Sequence, residues 1–401
     1  MNQPMQKLGD LCSLITDGKH GDCRNEEGSG FFFISAKDVR EGKIHYTDAR
    51  QILESDFNET HRRTDLQPGD VMITNSGTIG RLAVADDDEI TRRTTFQKSV
   101  AVLKPIREKI LPRYLYYALE YNKKALINAS GGAAQKNLLL GDLKRFEIGV
   151  PKISDQRNLC DHLETYDKLI ENNKRRLELL EESARQLYKE WFVRFRFPGH
   201  EHVKIIDGIP EGWKKTTLGA VSVTNALSHK AKELPEEIHY IDISSVSTGR
   251  IETKSRMPAE EAPGRARRIA QHGDVIWSNV RPNLKAYALV LHPENEDVFS
   301  TGFTVISGMS IPYSFLYNFT TTDNFVSHLV NHTTGASYPA VRPQDFERAE
   351  LLLPPRPLLD QFQEYCEPNY ELAYILAEQS SQLAAARDVL LPKLMNGEIA
   401  V

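Results

Sequence analysis

Apolar side chains recur with a spacing of four and three residues through one long stretch of the chain, between residues 155 and 195. Charged and polar residues fill the intervening positions, as on a helix that exposes most of its surface. The alternation averages 3.5 residues, which is the period of a coiled-coil seam. It predicts a helix of about 60 Å, from roughly 40 residues at 1.5 Å each. The seam positions are Leu159, Leu163, Tyr166, Ile170, Asn173, Leu177, Leu180, Ala184, Leu187 and Trp191.

A second stretch of the same period covers residues 359–394. It is the weaker copy, since Ser380 and Arg387 stand at positions that are apolar in the first helix, and Pro368 brings the continuity of its first turns into doubt. We expect the two helices to pack together antiparallel, because each apolar stripe needs a partner. The alternative is that both are ordinary core helices of compact domains. The clearest seam positions of the second stretch are Leu376, Leu383 and Leu390.

Short runs of β-branched and aromatic residues, separated by Gly and Pro, precede each helical stretch. Such runs are typical of a mixed, strand-rich α/β domain. Residues 69–84, GDVMITNSGTIGRLAV, predict a hairpin whose polar tip faces solvent or a ligand. The side chains expected to face inward are Val71, Ile73, Leu82 and Val84.

The order of these elements repeats along the chain. Residues 69–75 read GDVMITN and residues 273–279 read GDVIWSN, which keeps Gly, Asp, Val and Asn in place. The strand-like residues 31–44 and 238–251 correspond in the same order. Ordered matches of this kind indicate an internal duplication. The predicted segments are strand-rich domains at 1–152 and 199–355, and helical segments at 153–198 and 356–401.

The 401 residues are 40% apolar, with 50 Lys and Arg against 55 Asp and Glu and a formal charge of −5. The length predicts two or three domains with real cores, and any contact with a polyanion must be local. The sequence contains no apolar run long enough to span a bilayer and no export signal. We therefore expect no membrane association. The four cysteines form no C-x-x-C pair, so neither a zinc site nor a disulfide framework is expected. With so few thiols and no export signal, we expect the protein to reside in the reducing cytoplasm.

The sequence lacks the motifs of nucleotide chemistry. Neither GxxxxGK[ST] nor GxGxxG occurs, and there is no Asn- or Asp-Pro-Pro-aromatic tetrapeptide of the kind expected in a DNA amino-methyltransferase. We interpret the acidic run at 86–89 and the histidines of PGHEHV, residues 198–203, as solvated loops. We therefore expect no catalytic residue, no bound cofactor and no metal in this chain.

Polar and basic side chains gather at matching places in the two strand-rich domains. Arg and Lys neutralise phosphates, whereas Arg on guanine and Asn on adenine make paired hydrogen bonds to base edges. Basic residues are also common in exposed loops, so composition alone favours nucleic-acid binding only weakly. The candidate DNA-binding residues are Lys37, Arg62, Arg63, Asn75, Arg81, Arg92, Arg93 and Lys98 in the first domain and Arg265, Arg267, Arg268, Asn279, Arg281, Asn283, Lys285 and Arg342 in the second.

Three stretches resemble the specificity subunits of type I restriction-modification enzymes. GIPEGW followed by Leu-Gly is a quite specific marker of the family, whereas paired leucine-rich helices are common. The resemblance covers the whole chain, including its plan of two variable domains that are each followed by a helical segment. The stretches are LYKEWFVRFRFPG at residues 187–199, GIPEGWKKTTLG at residues 208–219 and RDVLLPKLMNGEI at residues 387–399.

The resemblance implies that each strand-rich domain is a target-recognition domain, which reads one half of a bipartite target in double-stranded DNA. The helices would set the spacing and dock the modification subunits, and restriction subunits would complete the complex. S-adenosylmethionine, ATP and Mg²⁺ would be bound by those partners, which leaves this chain non-catalytic. The hairpin tips SGTIG and VRPNL differ, so the two domains should present different groups to DNA.

Two other interpretations stay open. One is a self-sufficient DNA methyltransferase or nuclease with a diverged motif, which would transfer label from S-adenosylmethionine to DNA without another subunit. The other is a coiled-coil scaffold with no role at DNA, which would show no salt-sensitive affinity for it.

Overall fold

Two compact units share the chain. The structure is a computed structural model that describes residues 3–128, 137–230, 232–335 and 338–399. Unit 1 comprises Met1–Glu171 and Ser380–Val401, and unit 2 comprises Asn172–Gln379. Among the described residues, every helix is too short or too polar to cross a membrane.

Unit 1 is built around two sheets. The larger is antiparallel, with its strands in the order Cys12–Asp17, Val100–Pro105, Val71–Thr74 and Leu82–Val84. The smaller has the order Arg50–Gln51, Phe32–Ile34 and Thr94–Phe96, and its last two strands run parallel. Two strand pairs accompany them, Met5–Lys7 with Glu147–Gly149 and Val39–Arg40 with Lys43–Ile44.

Short helices connect and cover these strands. Pro112 begins one of them, at the first helical position, where a backbone N–H would have no hydrogen-bond partner within the helix. The shorter helices of unit 1 are Leu8–Leu11, Glu54–Thr64, Glu89–Arg92, Pro112–Tyr121, Lys123–Asn128 and Leu140–Arg145, with a 3-10 turn at Ala36–Asp38.

The hairpin predicted at residues 69–84 is confirmed. Its strands pair antiparallel, and the four residues expected to face inward lie together in one hydrophobic core. Met72 and Ala83 on the opposite face lie in a second core. Side chains alternate between the faces of a strand, so this hairpin is buried on both sides and only its tip reaches the surface.

Unit 2 repeats this plan. Its antiparallel sheet has the order Ser222–Thr224, Phe303–Gly308, Val275–Ser278 and Tyr287–Leu289. A four-stranded sheet has the order Ser255–Pro258, Glu237–Ile241, Asp297–Ser300 and Ala266–Arg268, with its two central strands parallel. The strand pairs are Lys214–Thr217 with Glu350–Leu353, Val246–Ser247 with Arg250–Ile251, and Ile205–Ile206 with Ile209–Pro210.

The predicted duplication is confirmed by this shared topology. Both units put the hairpin at one side of an antiparallel sheet and pair two strands in parallel in a second sheet. The shorter helices of unit 2 are Leu218–Val221, Tyr313–Thr320, Asp323–Asn331 and Pro343–Glu347, with 3-10 turns at His200–His202, Ile243–Ser245, Ala259–Glu261 and Pro282–Leu284.

Both predicted long helices are present. The first is Ile153–Tyr188, followed by a π-helical turn at Lys189–Val193, and the second is Arg356–Met395. The doubt about Pro368 is removed, because the second helix runs through it without a break. Proline deprives the helix of one hydrogen bond. Buried Cys366 and Tyr370 on either side anchor these turns in a core, which holds them helical.

In unit 1, the start of the first helix packs against the end of the second. Leu159 and Leu163 share a core with Leu394. Two turns away, the Arg387 guanidinium donates to an Asp167 carboxylate oxygen at 2.7 Å. Later residues of one helix meet earlier residues of the other, so the predicted antiparallel packing is confirmed. The ion pair also explains why Arg387 interrupts the apolar stripe.

In unit 2, the end of the first helix packs against the start of the second through aromatic rings. Trp191 and Phe192 lie 5.8 and 4.9 Å from Phe362, measured between ring centroids. The helix ends therefore belong to hydrophobic cores of the units. Of the nine leucine and isoleucine seam positions, four are buried, at Leu159, Leu163, Leu177 and Leu376, and five are half-buried, at Ile170, Leu180, Leu187, Leu383 and Leu390.

Candidate nucleic-acid interface

Four of the predicted residues of unit 1 meet at one edge of its parallel strands. Strands Phe32–Ile34 and Thr94–Phe96 end at the same edge, so the residues that follow them lie side by side. The hairpin joins this edge, because the Asn75 backbone N–H donates to the Ser99 carbonyl at 3.0 Å. The Arg81 guanidinium donates to the Ala36 carbonyl at 3.3 Å. We call this group the unit 1 edge, and it consists of Lys37, Asn75, Arg81 and Lys98.

The members of the unit 1 edge differ in what they present to solvent. Lys37 and Lys98 are exposed and Arg81 is half-buried. Asn75 is only 7% exposed, and its buried side-chain Oδ1 has no hydrogen-bond partner among the described residues. Its backbone carbonyl accepts from the Leu138 N–H at 2.9 Å, so Asn75 connects loops while the lysines and Arg81 supply the charge.

The other four basic residues of unit 1 form two separate pairs, Arg62 with Arg63 and Arg92 with Arg93. Arg63 donates to the Gly18 carbonyl at 2.6 Å, close to the unit 1 edge, and Arg62 is exposed on the same helix. Arg92 and Arg93 lie at the opposite end of strand Thr94–Phe96. They pair with acidic neighbours, Asp87 at 2.6 Å and Glu89 at 3.2 Å, so much of their charge is neutralised locally.

The acidic run at 86–89 is occupied by these local contacts. Asp87 and Glu89 bind the two arginines, and Asp88 caps helix Glu89–Arg92 by accepting from the Thr91 N–H at 2.7 Å. Such an N-cap satisfies a helix donor that would otherwise be left without a partner. His200 and His202 lie exposed on a 3-10 turn.

Unit 2 builds a corresponding edge after its own parallel strands. The Asn279 backbone N–H donates to the Gly302 carbonyl at 2.9 Å, as Asn75 does to Ser99 in unit 1. Exposed Arg265 joins through its carbonyl, which accepts from the Thr301 N–H at 2.8 Å. Exposed Arg342 follows Val341, whose N–H donates to the Asn279 carbonyl at 2.9 Å. We call Arg265, Asn279 and Arg342 the unit 2 edge.

Asn279 itself is held by its neighbours. Its Oδ1 accepts from the Thr304 hydroxyl at 2.6 Å, and its Nδ2 approaches the Thr301 carbonyl at 3.5 Å. Arg268, on the strand Ala266–Arg268 that pairs with Asp297–Ser300, is half-buried, and burial lowers the pKa of its guanidinium. It donates to the Ser228 hydroxyl at 3.0 Å, while Arg267 donates to the carbonyl of Ala266 at 2.5 Å. The side chains of Asn279, Arg267 and Arg268 therefore all make hydrogen bonds within the protein.

The hairpin tips have related backbones made from different residues. In unit 1, Gly77 and Gly80 hold left-handed φ angles of 74° and 85°. In unit 2, Arg281 and Lys285 hold φ angles of 49° and 54° on either side of the turn Pro282–Leu284. A left-handed conformation costs an L-residue about 1–2 kcal/mol, whereas glycine adopts it freely. Strain of this kind clusters at functional sites.

At the unit 2 tip, Arg281 is exposed and Lys285 is half-buried, and both have partners. The Arg281 guanidinium carbon lies 5.2 Å from the centroid of the Tyr338 ring, and Lys285 pairs with Asp323 at 2.9 Å. Asn283 is exposed between them. Tyr338 is 65% exposed and was not among the predicted residues. Its signal in the sequence is an aromatic residue within a loop of otherwise small and polar residues.

Comparison with known proteins supports a single family. The family model of the type I restriction modification DNA specificity domain matches residues 4–182. The type I restriction enzyme MjaIX specificity subunit of Methanocaldococcus jannaschii is 25% identical over 93% of this chain and 88% of its own length. The MjaVIII specificity subunit of the same organism is 20% identical over 98% and 92%.

A solved structure shares the fold. The crystal structure of a type I restriction-modification system S subunit from M. genitalium superimposes with a TM-score of 0.60 at 15% identity, and covers 98% of this chain and 96% of that one. Sequence relatives and fold agree with the resemblance carried by GIPEGW and its companion stretches. Residues 4–182 therefore match the DNA specificity domain of type I restriction-modification systems, and over most of its length the chain is similar to specificity subunits of these enzymes.

Proposed function

We propose that this chain is the DNA sequence-recognition subunit of a type I restriction-modification complex, and that each unit reads one half of a bipartite target. The observation that carries the proposal is the repeated edge. Each unit places an Asn at the same backbone position beside exposed basic residues, below a hairpin tip of its own composition. Exposed Lys and Arg position the phosphate backbone, and unlike tips read unlike bases.

The proposed division of labour follows the predicted segments. Residues 1–152 and 199–355 act as the target-recognition domains, and 153–198 and 356–401 act as spacer helices that also dock the modification subunits. All sixteen candidate residues belong to the proposal, with the two edges and the unit 2 tip as the primary contacts. The other basic residues add less to the electrostatic attraction for phosphates, since Arg92 and Arg93 are already paired with acidic neighbours.

Chemistry is assigned to the partners. The modification subunits bind S-adenosylmethionine and methylate the target, and the restriction subunits use ATP and Mg²⁺. This chain contributes recognition and no cofactor, and the complex acts in the cytoplasm. The names of the relatives, which are specificity subunits of type I restriction enzymes, support this assignment over a self-sufficient enzyme.

The test is to map methylated DNA produced by this chain together with its modification subunits. We expect K37A/K98A to weaken reading of one half-target and R265A/R342A to weaken reading of the other. The control variants R145A and R256A remove exposed arginines that pair with Asp142 and Glu237 away from the edges, and should leave both half-targets unchanged. Equal effects of both double variants on both half-targets would contradict separate reading.

The spacer role has its own test. Insertion of one heptad after Leu177, matched by one after Leu376, lengthens both helices by about 10 Å, which corresponds to about three base pairs at 3.4 Å each. We expect the half-targets to keep their sequences while their separation increases. A methylated target with the original separation would discard the spacer role.

A further inference from the structure

We propose that His272, His292 and Glu371 form a binding site for a divalent transition-metal ion of the zinc class. All three residues belong to unit 2. His272 precedes strand Val275–Ser278, His292 follows strand Tyr287–Leu289, and Glu371 lies on helix Arg356–Met395. Imidazole nitrogen and carboxylate oxygen are the donors that zinc shares with cobalt and nickel.

The three donor groups already face one another. One ligand atom from each residue can be chosen so that all lie within 4.8 Å of each other. The His292 Nε2 lies 2.7 Å from one oxygen of Glu371, and the His272 Nε2 lies 3.9 Å from the other. The two imidazole centroids are 4.9 Å apart, and the rings are inclined by 62°.

These distances suit an ion after small side-chain rotations. Donors bound tetrahedrally at about 2.0–2.2 Å lie roughly 3.3–3.5 Å from each other. The short contact of His292 with Glu371 must open slightly, and the long contact of His272 must close slightly. The side chains are 39%, 51% and 30% exposed for His272, His292 and Glu371, so an ion can enter and water can fill its remaining position.

Ion uptake also changes one weak contact. The His292 backbone N–H points at the His272 Nδ1 over 3.4 Å, which is long for a hydrogen bond. When the Nε2 of His272 binds the ion, the Nδ1 of His272 carries the proton and can no longer accept from the His292 N–H. Both rings are otherwise held by aromatic neighbours, His272 by Tyr313 at 5.6 Å and His292 by Tyr374 at 5.1 Å between centroids. Such packing limits the freedom that binding must remove.

A neighbouring group is less suited to a metal. His239, Glu294 and Asp297 also place donor atoms within 4.8 Å of each other. There, however, the Lys254 ammonium lies 2.7 Å from an Asp297 oxygen and already supplies the positive charge. A second cation would have to displace this lysine.

The two histidines are particular to unit 2. The Gly273 N–H donates to the Val290 carbonyl, and the corresponding bond in unit 1 joins Gly69 and Ala85. This match places Pro68 and Asp87 at the positions of His272 and His292, so the shared fold does not by itself require an imidazole at either place. A bound ion would cross-link the open end of the unit 2 hairpin to the long helix.

The test uses the full chain without an affinity tag. Zn²⁺ is titrated by calorimetry and Co²⁺ by visible absorption, which reports the number and type of its ligands. We expect one ion per chain, at least tenfold weaker binding in each of H272A, H292A and E371Q, and a rise in melting temperature with Zn²⁺ that E371Q loses. All four cysteines are buried, so thiols should not compete in the folded protein.

Matched controls separate this site from other histidines. H202A removes an exposed imidazole elsewhere in unit 2, and H239A removes the one in the neighbouring group; both should bind as the unchanged chain does. Urea unfolding with chelator present verifies that each variant folds. Binding that no site variant weakens, binding lost in H239A but kept in H292A, or no uptake at 1 mM Zn²⁺ would each overturn the proposal.

Discussion

Replacing Arg281 by glycine separates backbone strain from recognition at the unit 2 tip. Arg281 holds a left-handed φ of 49°, and its guanidinium lies over the exposed ring of Tyr338. If the residue served only the turn, glycine would fit the backbone better and nothing else would change. If it serves DNA, the same substitution should leave the fold intact and damage binding.

The magnitudes can be worked from these contacts. Relief of the left-handed conformation stabilises the folded chain by about 1–2 kcal/mol. Greater freedom of glycine in the unfolded chain costs about 0.5–1 kcal/mol, and loss of the exposed cation–π contact costs about 0.5–1 kcal/mol. These terms nearly cancel, so we expect the free energy of unfolding to change by less than about 1 kcal/mol. A lost arginine contact to DNA costs about 1–3 kcal/mol, or roughly 5- to 150-fold in affinity.

The assay measures urea unfolding of the chain and DNA binding by its complex with the modification subunits. R281N adds a variant that keeps the turn, because asparagine tolerates left-handed angles and only the guanidinium is removed. The control variant D207G relieves a similar left-handed φ angle, 51° at exposed Asp207, which lies away from the tip. This variant should bind DNA normally. Unchanged binding in both R281G and R281N, or losses of binding that follow losses of stability, would refute the reasoning.

Three further predictions concern the fold itself. F362A removes a fully buried ring that packs on Trp191 and Phe192, and should lower the free energy of unfolding by about 3–5 kcal/mol. The control Y365A, at a 56% exposed position of the same helix, should lower that free energy far less. Equal urea midpoints for the two variants would contradict this core. Hydrogen bonds from Arg24 hold the pKa of Asp56 well below its usual range, so this pair should stabilise fully above about pH 4 and progressively less below it. The difference in urea midpoint between R24Q and the unchanged chain should therefore stay constant from pH 7 to about pH 5 and shrink as the pH falls from about 4 to 3, and a difference that stays constant down to pH 3 would exclude this coupling. Burial raises the pKa of Cys12, Cys160 and Cys366 to about 12, so a disulfide reagent at pH 8 should find these thiols unreactive until urea unfolds the chain, and rapid modification of the folded protein would contradict their burial.

Local patterns were sufficient for much of the architecture. The 3.5-residue period predicted both long helices, because a helix places residues three and four apart on one face whatever surrounds it. The hairpin at 69–84 was equally local, since its two strands are joined by a short turn. The repeated heptapeptides then predicted that the second half of the chain has the same topology as the first.

Pro368 and Arg387 show where local rules misled. Each breaks a pattern of the second helix, and each is accommodated by its surroundings: Pro368 lies between two buried residues, and Arg387 bonds to Asp167. The cost of a proline or a charge in a helix depends on packing and partners that are distant in sequence.

The sequence by itself determined the duplication, the helices and the kinds of side chain available for DNA. Only the tertiary structure decided which of them share a surface: it joined Lys37 and Lys98 across parallel strands, buried Asn75, paired Arg92 and Arg93 with acids, and brought His272 and His292 to Glu371. The physical reason is that parallel pairing joins strands some sixty residues apart, so its register is set by cores and not by neighbours in the chain.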